Sequence, residues 1–270
     1  MARTALMNVM VNAVLKAGRG LARDFGEVEN LQVSLKGPGD FVSAADHRAD
    51  KTLIAELRKA RPTYGFLTEE SGELPGEDRG NRWIIDPLDG TTNFLHGIPL
   101  FTISLALERE GQLVAAVVYN PIINELYVAE RGAGAFLNDR RLRVAKRQKL
   151  ADTVIGTGMP RVGRGGDEGY LGELDRIMRE VAGVRRCGSA ALDLAWVASG
   201  RFDAFWEHGL SAWDVAAGIL LVREAGGFVT DLVGGSDGLP RGSAPGSILA
   251  GNEAIHRAVL GLLTPAPAHR

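Results

Sequence analysis

Residues 83–94 read WIIDPLDGTTNF. Trp83, Ile84 and Ile85 form a short apolar run, the signature of a buried strand. The run reaches Asp86 and then Pro87, whose ring removes a backbone donor and fixes the chain direction. A second carboxylate follows at Asp89, and Gly90-Thr91-Thr92 reads as the opening of a helix. The strand is therefore expected to stop at Asp86 and to present two carboxylates from one rigid turn. Carboxylates this close repel each other unless a cation lies between them. Hard cations such as Mg²⁺ take oxygen ligands, usually one or two carboxylates plus phosphate oxygens and water. Amides at a helix start suit a phosphate oxygen. A capped turn, in which Asp86 and Asp89 only accept from backbone N–H groups, is the plainer alternative, and the pair alone does not decide between them.

Outward from this stretch, 270 residues with 45% hydrophobic content suffice for a large core, as one unit or two fused halves. The formal net charge of −2 supplies no global basic field, so direct nucleic-acid binding is not expected. One cysteine, Cys187, excludes an internal disulfide and fits a reducing, cytoplasmic compartment. No signal-peptide order stands at the N-terminus, and no apolar run approaches the roughly 18 residues of a membrane span. The most polar stretches, residues 71–82, 161–169 and 234–246, read as surface loops.

Residues 4–25 carry Leu6, Met10, Ala13, Ala17 and Leu21 at helical spacing. Residues 36–40, KGPGD, form a turn. Ser43-Ala44-Ala45-Asp46 is close to a capping box and opens a helix to about Ala60, before Pro62. Residues 64–68 read as a strand ending on Glu69-Glu70-Ser71. If this strand neighbours the 83–85 run, Glu69 and Asp86 reach the same place. Residues 101–109 and 112–119 pair across Glu110-Gly111 as a hairpin, and 125–130 and 134–144 are further strands with turns at Arg131-Gly132 and Asn138-Asp139. Strands in series argue a large antiparallel sheet over residues 1–150. Over 151–270 strands and helices alternate: strands at 154–158, 184–187, 202–207, 228–232 and 248–250, helices at 168–182, 188–200, 211–224 and 253–263. Leu171, Leu174, Ile177, Met178 and Val181 are expected on one face of the first of these helices. Asp214 stands three residues after Ser211, where a capping box accounts for it by itself. Gly188-Ser189-Ala190 at a helix start either exposes backbone amides and a hydroxyl to a ligand or is an ordinary cap, Glu207 closes a strand, and the scattered histidines form no zinc pattern. His96, close behind the central stretch, is a candidate for the mouth of a pocket.

The order D-P-L-D-G-T-T-N-F resembles the metal-site motif of the inositol monophosphatase family. T-E-E-S at 68–71, R-R-x-G-S-A-A-L-D-L-A at 185–195 and W-D-V-A-A-G at 213–218 stand in the family's order, and the wording is closest to its bacterial SuhB-type members. The resemblance spans residues 36–252. It implies a layered α/β/α/β/α sandwich and Mg²⁺-dependent hydrolysis of a phosphate monoester, foremost an inositol monophosphate. It implies Glu69, Asp86, the Leu88 carbonyl, Asp89 and Asp214 as metal ligands. Glu69, Thr91 and Asp46 would orient the attacking water. Leu88, Asp89, Gly90, Thr91, Arg185, Gly188, Ser189, Ala190, Glu207 and Asp214 would meet the substrate, and Lys36 would lie in a loop near the site. Lithium inhibition and a homodimer are further implied. Sugar, histidinol or nucleotide phosphates are rival substrates on the same scaffold, and SuhB-type members also suggest transcription-machinery proteins as partners.

Overall fold

A computed structural model describes residues 3–27, 33–37, 40–159, 167–241 and 245–264. In chain order the elements are α1 (Ala5–Phe25), β1 (Val33–Gly37), β2 (Asp40–Ser43), α2 (Ala44–Ala60), β3 (Tyr64–Thr68), β4 (Gly72–Leu74), β5 (Asp78–Asp89), α3 (Thr91–Leu95), β6 (Thr102–Arg109), β7 (Gln112–Asn120), β8 (Glu125–Glu130), β9 (Gly134–Leu137), β10 (Arg140–Arg141), β11 (Val154–Thr157), α4 (Asp167–Met178), β12 (Gly183–Arg185), α5 (Ala190–Ala198), β13 (Ala204–Leu210), α6 (Ala212–Glu224), β14 (Phe228–Thr230), β15 (Gly246–Gly251) and α7 (Glu253–Leu263).

Eight strands form one sheet in the order β10-β9-β8-β7-β6-β5-β3-β4, antiparallel except for the parallel β3–β5 pair. Side chains alternate across a strand, and here both faces are buried. Trp83, Ile85, Leu105, Leu107 and Val117 meet Met10, Val14 and Leu21 of α1 and Leu53 and Leu57 of α2. Ile84, Ala106, Ala116 and Val118 face Leu194 and Val197 of α5 and Val215, Ile219 and Val222 of α6. Fully burying one such aliphatic side chain stabilises by roughly 1.5–3 kcal/mol, so continuous apolar runs follow from a sheet covered on both sides.

A second sheet of five strands runs β12-β11-β13-β15-β14. Its inner face lends Phe205, Ile248 and Ala250 to the α5–α6 layer. Its outer face, with Ile155, Trp206 and Leu249, is covered by Ile177 of α4 and Ile255 and Val259 of α7. The result is the five-layer sandwich, α1/α2, sheet, α5/α6, sheet, α4/α7. At Gly218 a Cβ would stand 2.4 Å from Leu194, so α6 approaches α5 closely there.

Several boundaries differ from expectation. The 71–82 stretch is not a loop: it supplies the short edge strand β4 and the first half of β5, and charged side chains suit a sheet edge. Residues 134–144 are two short strands around Asn138-Asp139, whose φ angles of 44° and 66° make the tight turn. The 168–182 helix ends at Met178, and it exposes Leu171 and Met178 while burying Tyr170 and Ile177. β13 begins two residues later than expected and runs past Glu207 to Leu210.

Candidate active site

β5 does not stop at Asp86. It continues through Pro87 to Asp89, and its register with β6 shifts there: Asp86 lies opposite Ser104, and Asp89 opposite Thr102. Three steps on β5 thus match two on β6, which is a one-residue bulge. In a regular strand, residues three apart point to opposite faces. The extra residue cancels that reversal and turns both carboxylates into one cleft. Pro87, lacking an N–H, sits where the ladder is already interrupted. The Leu88 N–H donates to Asp86 Oδ1 at 2.9 Å and sets the turn. Gly90 follows with φ 100°, beside Leu100 and Phe101, a backbone conformation that side chains rarely adopt.

Glu69 arrives from the neighbouring strand. Thr68 pairs with Ile85, and the Glu69 N–H donates to the Ile85 carbonyl at 3.1 Å. The turn beyond it is held by Ser71, whose N–H donates to Thr68 Oγ1 at 2.8 Å and whose hydroxyl donates to Asp50 on α2. Asp214 enters from the first turn of α6, accepting from the Ser211 N–H at 2.6 Å. Glu69, Asp86, Asp89 and Asp214 line one cleft with Leu88, Gly90, Thr91, Gly188, Ala190 and Glu207. Burial, then the negative charges of Glu69, Asp89 and Asp214, push the Asp86 carboxyl well above the ordinary range. Burial likewise raises Asp89 to about 6, against the hydrogen bonds it accepts.

Asp89 also ties the two halves together. Its Oδ2 accepts from the Ser189 hydroxyl and the Ala191 N–H, both at 2.7 Å. Ser189 is the N-cap of α5 and is buried, so its hydroxyl reaches the carboxylate rather than the cleft itself. Asn93 reinforces the junction, donating to the carbonyls of Leu100 and Cys187 at 2.6 and 2.7 Å.

Asp46 carries out both roles its position allows. One oxygen, Oδ2, accepts from the Ser43 N–H and hydroxyl at 2.8 and 2.6 Å, completing the capping box of α2. The other, Oδ1, accepts from Thr91 Oγ1 at 3.0 Å. Thr91 Oγ1 also stands 3.1 Å from the Leu88 carbonyl. A hydroxyl with one proton committed to these acceptors keeps lone pairs toward the cleft.

Arg185 is exposed and donates to the Val184 carbonyl beside it; Arg186, one residue on, lines the cleft instead. The cause is register: β12 ends at Arg185, and the chain turns into the cleft only afterwards. His96 is the exposed C-cap of α3 and is not among the cleft-lining residues. The Lys36 side chain and residues 38–39 lie outside the described residues. Thr92, Gly158, Met159, Arg186 and Leu210 also line the cleft. Thr92 and Arg186 lie inside the motifs without being singled out by them, whereas Gly158, Met159 and Leu210 carry no local signal. Glu207 lies in mid-strand on β13, and burial, with Asp193, Asp214 and Asp89 near it, raises its carboxyl well above the usual range against the pull of Arg186.

The donor set fits a hard cation: four carboxylates and a backbone carbonyl, all oxygen, with the buried acids destabilised by one another's charge. Among the described residues no three acidic or histidine side chains close into a finished coordination shell; the acids stand along the cleft wall.

Such an acid-lined cleft in a layered sandwich suits a phosphomonoester hydrolase. Residues 3–266 match the inositol monophosphatase family, and the chain belongs to it. It is 68% identical over 260 residues to an inositol-1-monophosphatase of Mesorhizobium japonicum, covering 96% of each chain. It is 44% identical over 255 residues to the Escherichia coli protein named Nus factor SuhB, covering 94% of each. The crystal structure of an extragenic suppressor protein suhB from Bartonella henselae superposes with a TM-score of 0.93 at 59% identity, over 98% of this chain and all of that one.

Proposed function

We propose that the chain hydrolyses inositol monophosphates, with Mg²⁺ held by Glu69, Asp86, Asp89, Asp214 and the Leu88 carbonyl. The observation that carries the reading is the convergence of Glu69, Asp89 and Asp214 on Asp86, beside the Asp46–Thr91 hydrogen bond. Divalent cations in such a site stabilise the entering and leaving oxygens of an in-line displacement and activate water. The chain supplies the rest. Asp46 holds the Thr91 hydroxyl so that its oxygen accepts a hydrogen bond from the attacking water, and Glu69 takes the water's other proton. The amides of Gly90 and Thr91 receive phosphoryl oxygens. The water oxygen bonds to phosphorus as the bond to the inositol oxygen breaks, the leaving alkoxide takes a proton from solvent, and Glu69 returns its own proton to solvent. Glu207 hydrogen-bonds the hydroxyls of the substrate, and Gly188 and Ala190 shape the wall behind them. Ser189 acts through Asp89.

The test is phosphate release from a panel of inositol, sugar, histidinol and nucleotide phosphates, with and without Mg²⁺. An inositol monophosphate should lead the panel, and activity should vanish with chelator; a substrate without a polyol leading it, or metal-independent release, contradicts the reading. Lithium inhibition in the same assay and a dimer on gel filtration are further parts of this proposal, carried by the family resemblance. A cytoplasmic location accords with the single, unpaired cysteine.

The raised acids give a pH dependence whose sign is fixed. Asp89 titrates at about 6 in the fold against an ordinary 3.8. Between these values the folded state holds a proton that the unfolded chain has lost, so metal-free stability falls as pH rises through this window. Bound Mg²⁺ supplies the missing countercharge. The expected result is a larger Mg²⁺-induced rise in Tm at about pH 7.5 than at about pH 5. An equal rise at both would place the cation elsewhere.

The name of the E. coli relative favours a second reading, a transcription-associated protein partner. Pull-downs from extract with wild type and Asp89→Asn test whether such a contact exists and whether it needs the site.

A further inference from the structure

Gly158 and Glu207 share one wall of the cleft on adjacent parallel strands. Thr157 pairs with Trp206, so the next residue of each strand falls side by side. A Cβ at Gly158 would stand 1.8 Å from Glu207 Cδ and 2.0 and 2.2 Å from its carboxyl oxygens. The Glu207 carboxyl thus fills the volume that any side chain at 158 would need. Backbone conformation does not explain this glycine, because its φ is not among the positive ones of the chain. Neighbouring glycines in the site differ: Gly90 and Gly188, with φ of 100° and 86°, are required by their turns. At 158 the requirement is steric and comes from Glu207 alone among the three nearest atoms.

The position of that carboxyl is therefore set by the absence of a side chain on the neighbouring strand. It lies over Gly158, with Arg186 as the one basic side chain among the described cleft-lining residues. Even a methyl group at 158 would displace it from this position. We infer that Gly158 is a specificity-determining residue, which keeps the Glu207 carboxyl in place for the hydroxyls of a polyol leaving group. This rests on the proposed function and deepens it, by locating the choice of alcohol in a pair of residues separate from the metal ligands.

The test compares inositol 1-phosphate with phenyl phosphate, whose leaving group has no further hydroxyl. The readout is the ratio of their kcat/KM values at saturating Mg²⁺. Gly158→Ala should lower that ratio about tenfold or more, the scale of a lost hydrogen bond to a charged group. Glu207→Asp in the Gly158→Ala background, one methylene shorter, should recover part of it. Gly158→Ala added to Glu207→Ala should change the ratio no further. An unchanged ratio in Gly158→Ala, or additive losses in the double variant, would overturn the inference. If Gly158→Ala fails to fold, the Glu207→Asp double variant must fold, since it reopens the space; failure of both shows that the glycine serves something else. Wild type that releases phosphate from phenyl phosphate but not from the inositol ester indicts the substrate assignment, not the pairing.

Discussion

Asp89→Asn loses turnover by about 1000-fold or more, a larger effect than removing one transition-state hydrogen-bond donor, which costs about 100- to 1000-fold. The reason lies in what holds Asp89. Its Oδ2 faces two donors, the Ser189 hydroxyl and the Ala191 N–H. An asparagine must turn its own oxygen to the Ala191 N–H, because its NH₂ group cannot accept. The NH₂ then takes the place of the other carboxylate oxygen, in the cleft that Asp86 and Glu69 also line. The substitution removes a negative charge and also presents a donor where an acceptor is required. Phosphate release at saturating Mg²⁺ checks this. Thermal stability of the metal-free variant should equal or exceed wild type, because a repelled buried carboxylate has gone. Wild-type Mg²⁺-dependent activity in Asp89→Asn would remove the residue from the site.

Thr91→Ala lowers kcat by about 100-fold or more, the usual scale for a group that handles a proton in the reaction. Its hydroxyl is the bridge between Asp46 and the cleft. Asp46 keeps both bonds from Ser43 in the variant, so α2 stays capped and the fold should hold. Mg²⁺ affinity should change little, because the carboxylates are untouched. Thr91→Ser should recover most of the rate. Collapse of metal binding in Thr91→Ala would instead make the threonine a ligand.

These two residues also show what was legible in the sequence. The DPLDGTTNF order and the strand-end glutamate mark Glu69, Asp86, Asp89 and Thr91 locally, and the 64–68 and 83–85 runs pair as neighbours, the condition for Glu69 and Asp86 to meet. The layered fold is implied by the family resemblance, and strands in series, then strands and helices in alternation, accord with it. Hidden from the sequence was how Asp86 and Asp89 come to face the same way. Pro87 suggested a stop, but the strand continues over a bulge, and only pairing with β6 reveals it. Arg185 and Arg186 are alike in sequence, and the end of β12 decides which one enters the cleft. Ser189 looks like a plain cap, and its hold on Asp89 joins residues a hundred positions apart. Gly158 is invisible for the same reason, since its meaning lies in a side chain on another strand.

The central claim is that acids from three separate segments hold divalent cations beside the phosphoryl group. A crystal grown with Mn²⁺ and inorganic phosphate tests it most directly, through the anomalous difference map. The account predicts manganese peaks bounded by the carboxylates of Glu69, Asp86, Asp89 and Asp214, with phosphate density against Gly90 and Thr91. Manganese elsewhere on the chain, with Asp214 turned from the other three acids, would contradict it.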